Sequence, residues 1–501
     1  MPSQFRKIKS FIPVIYLIFA TLWLRLINLG YSNYQGDEIK ALYRPKLNQE
    51  LWDFLLSQRK GPIQFLVTYL MGIFNPTYDN ELYIRLPFAI AGILAVYIFY
   101  KLIKLEYGQE IAVYSSLFLS INGFFVAFSR IVQYQSFVIL FSVLALYLFS
   151  LSGKFAKWRV SGLYLGVCCW VIAILAHYDG LFITPYALYL LYRWFKNYSV
   201  NNSYRIQHLI IVTVLFLLSL SIFYLPFFLS VSESTKEYWT KRISKKSVSS
   251  IKTFMTYNTS YVFYIYAILG LCSLPKIKQV YAVLAWFLFS FLSLEILVKN
   301  PGTHIYTYIL PLCVLMAFGL KILVDFISNK FNKKSNLLRT ALLSIIFVIP
   351  FLFSHTLFVD NTKEYPWEEK RLLFIKFKRK RRQSLFGFPY YRHWGKVGNY
   401  LQNTDNSGYF ITNEKKSITR YYISPAFKNL EIHPYSGEKP GNVYVIYILH
   451  PQSANPKILD REKGYWQQKY QPVKTFFNKG RTVTLIYQLS ASDWEREINI
   501  K

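Results

Sequence analysis

The sequence predicts a mainly helical protein that crosses a membrane many times and closes with a small α/β domain. Three observations support this. Of 501 residues, 53% are hydrophobic and 19% aromatic, and only 17% are charged, where a soluble domain carries about a quarter. The apolar residues fall in runs of about 17 to 25, the length a helix needs to cross the hydrocarbon of a bilayer. From about residue 360 these runs give way to short stretches rich in β-branched and aromatic residues, the texture of strands.

The formal net charge of +32 does not indicate a nucleic-acid partner. Lysines and arginines sit mainly in short clusters at the ends of apolar runs, the pattern of cytoplasmic loops and lipid headgroup contact. No module of interleaved basic and aromatic residues stands out. Cys168, Cys169, Cys272 and Cys313 all lie inside apolar runs and read as small buried hydrophobes, so the polar C-terminal region has no disulfide framework. Arg6, Lys7 and Lys9 precede the first apolar run, Ile12–Leu29, as in a signal peptide. That run is long and lacks a convincing small-residue cleavage site, so it is expected to stay as an anchor.

In chain order the expected spans are 11–29, 84–104, 111–128, 135–152, 160–176, 180–195, 207–230, 254–272, 279–297, 304–326 and 340–358, about eleven by length. The apolar stretch Ile63–Phe74 is too short to cross and is expected in the interface. Skipping it places Lys101/Lys104, Lys154/Lys157/Arg159, Arg193/Lys196/Arg205, Lys276/Lys278 and Lys330/Lys333/Lys334/Arg339 in the cytoplasm, as the positive-inside tendency requires. The same parity puts Asp37-Glu38, Arg59-Lys60, Arg85, Arg130, His177-Tyr178-Asp179 and Asn300–His304 on one external face. Two basic runs oppose this topology. They are the loop 231–253 and Lys376–Arg382, each read as a solvated charge run or as a holder of anionic lipid.

The domains expected are a membrane domain, 1–359, whose external loop 30–83 carries the acidic pair, and an extracytoplasmic α/β domain, 360–501. In the latter, Trp394, Val397, Tyr400 and Leu401 suggest a helix despite Gly395 and Gly398. Gly408–Thr412, Ile418–Ile423, Val443–Leu449 and Thr482–Leu489 read as strands, and Asp460–Tyr470 as a second helix.

The stretch that carries chemistry is Leu29–Pro62. Asp37-Glu38 follows directly on the first membrane-length segment, and Arg59-Lys60-Gly61-Pro62 closes the stretch. Ionisable groups at a membrane boundary are costly to keep and read as functional. Carboxylates followed by two cations suit work on a phosphate-bearing substrate at the membrane surface. An ordinary solvated loop is the competing reading.

These residues resemble the GT-C class of membrane glycosyltransferases, in particular the family 39 protein O-mannosyltransferases and the bacterial lipid A aminoarabinose transferases. Asp37-Glu38 matches the family's acidic pair after the first span. Arg59-Lys60-Gly61-Pro62-Ile63 is similar to its Lys-Pro-Pro or His-Pro-Pro turn, and Arg85-Leu86-Pro87-Phe88-Ala89-Ile90-Ala91-Gly92 to its Arg-Leu-Pro-Ser-Ala-x-x-Gly opening of the second span. Arg130 with Tyr134 looks like its Arg-x-x-x-Tyr element, and His304–Pro311 like its late Arg/His-Tyr-x-x-x-Leu-Pro stretch. Two departures stand out: Gly61 replaces the first proline of the turn, and Gly36 stands where an aromatic or apolar residue usually precedes the pair.

The resemblance implies a GT-C fold and transfer of a sugar from a polyprenyl-phosphate lipid to a hydroxyl acceptor at the external face of the plasma (inner) membrane. The acceptor is a protein, lipid or glycan. Asp37 is expected as general base, with Glu38 orienting or binding the acceptor. Lys60, Arg85, Arg130 and Arg59 are expected on the donor phosphate. Tyr134, His304 and Tyr306 are weaker candidates for substrate contact. His177 and Asp179 read equally as metal or acceptor contacts and as interfacial polar residues at a span junction. No metal set is assigned and a divalent cation stays open. The alternative is a flippase for lipid-linked sugars or another polysaccharide transport or assembly protein. Such a protein would place charges at midmembrane and show repeats, neither of which is visible here.

Overall fold

Six helices in the computed structural model are long and apolar enough to cross a membrane, or seven when the bent pair Gln109–Ile121 and Gly123–Ser129 is one span. The structure describes residues 2–197, 202–242, 249–331, 335–364, 370–372, 375–377, 386–430, 442–451 and 464–499. Among them the expected count of about eleven is not reached on length and composition. Ile12–Leu26 and Ser161–Ala176 are apolar but shorter, and Thr184–Asn197 has 14 residues. Two expected spans run together as Ser260–Leu297. That stretch turns back at Leu274–Lys276. The helix Ser250–Tyr257 meets its start through the Phe254–Phe263 rings, 6.0 Å apart. It also meets its end, where Ser250 N–H donates to Glu295 at 2.7 Å. Ile63–Phe74 is one helix of 12 residues, as short as its apolar stretch implied.

The chain divides into two compact units. The first comprises Met1–Ile27, Leu42–Asp79 and Tyr83–Val359, the second Asn28–Ala41, Asn80–Leu82 and Asp360–Lys501. In the first, the bend between Gln109–Ile121 and Gly123–Ser129 sets the site's geometry. Irregular backbone at membrane depth persists only where protein groups satisfy it, and here they do. The Asn122 side chain accepts from Phe124 N–H at 3.0 Å, and Asn258 Oδ1 accepts from Gly123 N–H at 2.9 Å. The short helix after the bend ends at Arg130, and the next begins at Gln135. Gln133 and Tyr134 are thereby held at the junction.

The second unit has strands β1 (Lys370–Leu372), β2 (Ile375–Phe377), β3 (Gly408–Thr412), β4 (Phe427–Asn429), β5 (Asn442–Ile448), β6 (Lys474–Asn478) and β7 (Arg481–Ser490). β1 and β2 form a hairpin, and the others a sheet in the order β4-β3-β5-β7-β6. β3 runs parallel to both β4 and β5, while β7 runs antiparallel to β5 and β6. Ile411, Val443, Val445, Leu485 and Tyr487 pack with Trp466 and Trp494 as the core of this sheet.

The helix at Trp394–Thr404 and the strand Gly408–Thr412 are where the sequence places them. Ile418–Ile423 is not a strand. Lys416–Tyr422 forms a helix, because parallel neighbours β3 and β4 need a crossover between them. That demand overrides the β-branched and aromatic composition. Of the expected helix Asp460–Tyr470, Tyr465–Lys469 is helical, and 460–463 lie outside the described residues.

Candidate active site

In the first unit, the turn Gly61-Pro62 opens the helix Ile63–Phe74. A Cβ on Gly61 would stand 2.0 Å from Leu175 O and 3.0 Å from Ala176 O. Only glycine allows this approach, so Lys60 is brought to the end of the helix Ser161–Ala176, beside His177. Lys60 Nζ donates to Gln133 Oε1 at 2.8 Å and lies 5.0 Å from the centre of the Tyr134 ring, a cation–π distance. Tyr134 in turn stacks on His177 with ring centres 4.1 Å apart and planes within 7°.

Asp179 joins the rest. Its Oδ2 accepts from Tyr306 OH at 2.6 Å and from His304 Nδ1 at 2.7 Å. With Nδ1 donating, the Nε2 of a neutral His304 is an acceptor, and Arg242 Nη1 lies 3.4 Å from it. Lys60, Tyr134, His177, Asp179, His304 and Tyr306 thus form one connected group, drawn from junctions widely separated in sequence. Gln133 and Arg242 belong to it but were not singled out from sequence. Arg242 sits in the basic loop read as a charge run, of which 243–248 lie outside the described residues.

Burial works against the charge on Asp179, but the imidazoles of His177 and His304 hold its carboxyl below the usual carboxylate range. Burial pushes His177 down to about 4 despite Asp179. His177 Nδ1 accepts from Asp179 N–H at 3.2 Å, and the same nitrogen faces Asp179 Oδ1 at 3.1 Å. Oδ1 is buried and has no hydrogen-bond partner among the described residues. Two acceptors therefore face each other across a gap that a proton or a cation would bridge. His177, Asp179 and His304 bring one ligand atom each within 4.8 Å of the others. Two imidazoles and a carboxylate suit zinc or a similar transition metal, so the residues fit a cation.

The arginines are placed differently. Arg85 and Arg130 are 2% and 5% exposed, and Arg130 Nη1 donates to Leu24 O at 2.9 Å. Arg25, absent from the sequence reading, is equally buried and donates to Ser120 O at 3.1 Å. The three charges act on one another. A cavity beside Arg25, Gly92 and Ser129 measures about 10 Å³, room for about one water. Arg59 is exposed.

Asp37 lies in the second unit, on the short helix Gly36–Ile39. The chain before it is knitted to residues 390–392. Asn33 N–H donates to Tyr390 O at 3.2 Å, and Asn33 Oδ1 accepts from Arg392 N–H at 2.9 Å. Tyr34 N–H donates to Tyr422 OH at 2.9 Å. A Cβ on Gly36 would stand 2.3 Å from Ser417 Oγ, so a larger residue there would force the Ser417 side chain aside where this turn meets the helix Lys416–Tyr422. Glu38 is fully buried, and its Oε2 accepts from Gln35 N–H at 2.9 Å, one half of a capping box. The Asp37 side chain is 42% exposed, with Lys40 Nζ at 3.5 Å.

Residues 62–224 match the family described as dolichyl-phosphate-mannose-protein mannosyltransferase. No curated protein sequence matches the chain. Among solved structures it is similar to the oligosaccharyltransferase AglB from Archaeoglobus fulgidus, in complex with an inhibitory peptide and a dolichol-phosphate. That match has a TM-score of 0.51 and 12% identity, and covers 84% of this chain. The chain spans 64% of the archaeal protein's length. It is also similar to ArnT from Cupriavidus metallidurans, with a TM-score of 0.50 and 10% identity, over 97% of this chain and 98% of that one. Spanning helices with a small C-terminal sheet unit, matched along nearly the whole of both chains, give this protein the GT-C fold of membrane glycosyltransferases.

Proposed function

We propose that the protein transfers a sugar from a polyprenyl-phosphate carrier to an acceptor hydroxyl on the external face of the membrane. The carrying observation is Lys60, an ammonium fixed by Gln133 and Tyr134 above the buried Asp179 network. Such a cation does not need reorganisation when charge develops next to it. The fold and the family match over 62–224 support the reaction class, and the dolichol-phosphate held by the archaeal protein supports the donor class.

In the reaction the bond between the sugar's anomeric carbon and the phosphate oxygen breaks, and the acceptor oxygen bonds to that carbon. The acceptor proton passes to Asp37, whose half-exposed carboxylate acts as general base. The leaving polyprenyl phosphate gains negative charge, which Lys60 and Arg242 stabilise more in the transition state than before it. Arg85 and Arg130, both buried, add positive potential, and Arg130 also holds a helix end through the Leu24 carbonyl. Asp179 sets His304 and Tyr306 towards sugar or phosphate. A divalent cation, when bound by His177, Asp179 and His304, would supply further positive charge near the donor phosphate. The isoprenoid tail is assigned to an apolar cleft of about 360 Å³ lined by Phe254, Tyr266, Leu284, Phe287, Tyr308 and Leu312.

The test is transfer in membranes containing the full chain, with a panel of radiolabelled undecaprenyl-phosphate hexoses and pentoses. At least one donor is expected to label membrane acceptors and release undecaprenyl phosphate, with the Asp37→Asn variant inactive. A panel in which no donor is consumed above control membranes overturns the reading.

A further inference from the structure

Arg25 stands in the last turn of the helix Pro2–Leu26, and Arg130 closes the helix Gly123–Ser129. Both belong to the first unit and both are buried. Their hydrogen bonds run to backbone carbonyls. Arg25 Nη1 donates to Ser120 O at 3.1 Å and to Thr21 O at 3.5 Å, and Arg130 Nη1 donates to Leu24 O at 2.9 Å. Among the described residues neither guanidinium forms an ion pair with a carboxylate. Glu106 and Glu110 of this unit are taken by Arg193 and Lys321.

The charges do not balance. The carbonyls at the end of a helix carry about half a negative charge between them. Leu24 O and Ser120 O belong to two such ends, those of Pro2–Leu26 and Gln109–Ile121, so only about one of the two positive charges is answered. A guanidinium does not lose its proton in a protein, and an unanswered charge among apolar side chains is costly.

Arg25 Nε is a second sign of a ligand. It is buried and donates to nothing among the described residues. Arg25 borders the cavity of about 10 Å³, which Gly92, Phe125, Ser129, Ser136 and Ile139 also line. A Cβ on Gly92 would stand 3.5 Å from this nitrogen and 2.5 Å from Ser129 Cβ, so the glycine keeps open the space beside Nε. Capping of helix ends accounts for Nη1 of each arginine, but not for Nε or for the remaining charge. A water molecule would accept from Nε and leave that charge as it is.

We propose that this cavity binds a monatomic anion, chloride being the ordinary one, on Arg25 Nε–H, with Arg130 as the second cation. A chloride ion is little larger than the single water the space admits. A phosphate or sulfate, with its shell of oxygens, does not fit, which sets this site apart from that of the donor phosphate. The anion ties the end of the first helix to the bend after Ile121 and to Ser136 on the next helix. Arg130 opens the junction carrying Gln133 and Tyr134, so the anion also steadies the two residues on which Lys60 rests. Arg85, a further buried guanidinium whose charge acts on Arg130, keeps the region positive when the anion is bound.

The experiment needs no substrate. The full chain is purified in detergent and exchanged into sodium gluconate, and chloride is titrated in at constant ionic strength while the thermal midpoint is followed. Chloride is expected to raise the midpoint saturably by about 2 °C or more, bromide to do the same, and sulfate to have no such effect. Arg25→Gln is expected to remove the response. Ser136→Thr spares both arginines and adds a methyl group at the cavity wall, and it is expected to raise the chloride concentration needed by about tenfold. Midpoints that agree in chloride and gluconate at every concentration overturn the proposal, as does a response that sulfate reproduces. A wild-type chloride response in either variant overturns it as well, and Ser136→Thr alone decides if Arg25→Gln does not fold. None of these outcomes bears on sugar transfer, which the donor panel tests separately.

Discussion

The group around Asp179 and the turn carrying Asp37 hold their carboxylates in opposite ways. Asp179 is buried, and one oxygen accepts from both an imidazole and a phenol. Asp37 is 42% exposed, in a loose ion pair with the solvated Lys40 at 3.5 Å. A carboxylate engaged so fully on one side orients its neighbours, whereas one left half in solvent keeps lone pairs for a proton. The supports differ too. Lys60, Tyr134, His177 and His304 come from four separate helix junctions, while Asp37 is held by backbone bonds from residues just before it and by a glycine contact. The first arrangement is a rigid cationic floor and the second a base on a short, tightly seated turn.

Kinetics separate the two sharply. Asp37→Asn keeps the shape and removes the base, so kcat is expected to fall by about 10²–10⁴-fold with KM for the donor nearly unchanged. An equal rise in donor KM would place Asp37 on the donor side and break the comparison. Lys60→Met removes the fixed cation, and kcat/KM for the donor is expected to fall by about 10²–10³-fold. The loss should not be recovered by raising acceptor concentration. A Lys60 variant whose defect acceptor does overcome would move Lys60 out of the donor site.

Asp179→Asn tests what the buried network is for. Removing the charge leaves His304 and Tyr306 with a weaker shared acceptor, and the expected loss of stability is about 1–3 kcal/mol. It would be read as a lower thermal midpoint of the purified protein. Transfer should fall with it, because Lys60 stands on the Tyr134–His177 stack next to this carboxylate. Full thermal stability with lost transfer would instead make Asp179 a direct substrate or metal contact.

The sequence made the membrane class, the C-terminal sheet domain and most of the polar group legible, because length and hydropathy are local properties and the motifs lie in a recognisable order. It left other things hidden. Gln133 is one polar residue beside Tyr134, and nothing in its neighbourhood marks it as the acceptor for a lysine from another loop. Arg242 was indistinguishable from the basic residues around it until His304 came within reach. The strand read at Ile418–Ile423 failed because the demand for a crossover helix comes from the pairing of β3 with β4 and β5, which propensity does not contain. Gly36 and Gly61 look like departures from the family pattern. Each turns out to be the point where backbone or side chain of another element presses against the chain, so each departure is part of how its neighbour, Asp37 or Lys60, is held.

Those glycines allow a finer test. Gly61→Ala drives a methyl into the Leu175 and Ala176 carbonyls, and overpacking of this kind costs about 1–3 kcal/mol. Since Lys60 is adjacent, donor KM should rise along with the loss of stability. A variant that keeps wild-type donor KM would show that Lys60 is placed by Gln133 and Tyr134 alone. The smallest effect is expected at Glu38. Its carboxylate is buried and caps the turn through Gln35 N–H, a bond that the amide oxygen of glutamine can also accept. Glu38→Gln should therefore cost less than about 1 kcal/mol and leave transfer within a few-fold of wild type, while Glu38→Ala loses the cap and loosens Asp37. If Glu38→Gln abolishes transfer with the thermal midpoint intact, the second carboxylate takes part in acceptor chemistry. The division between a proton-accepting Asp37 and a structural Glu38 would then give way to an acidic pair acting together.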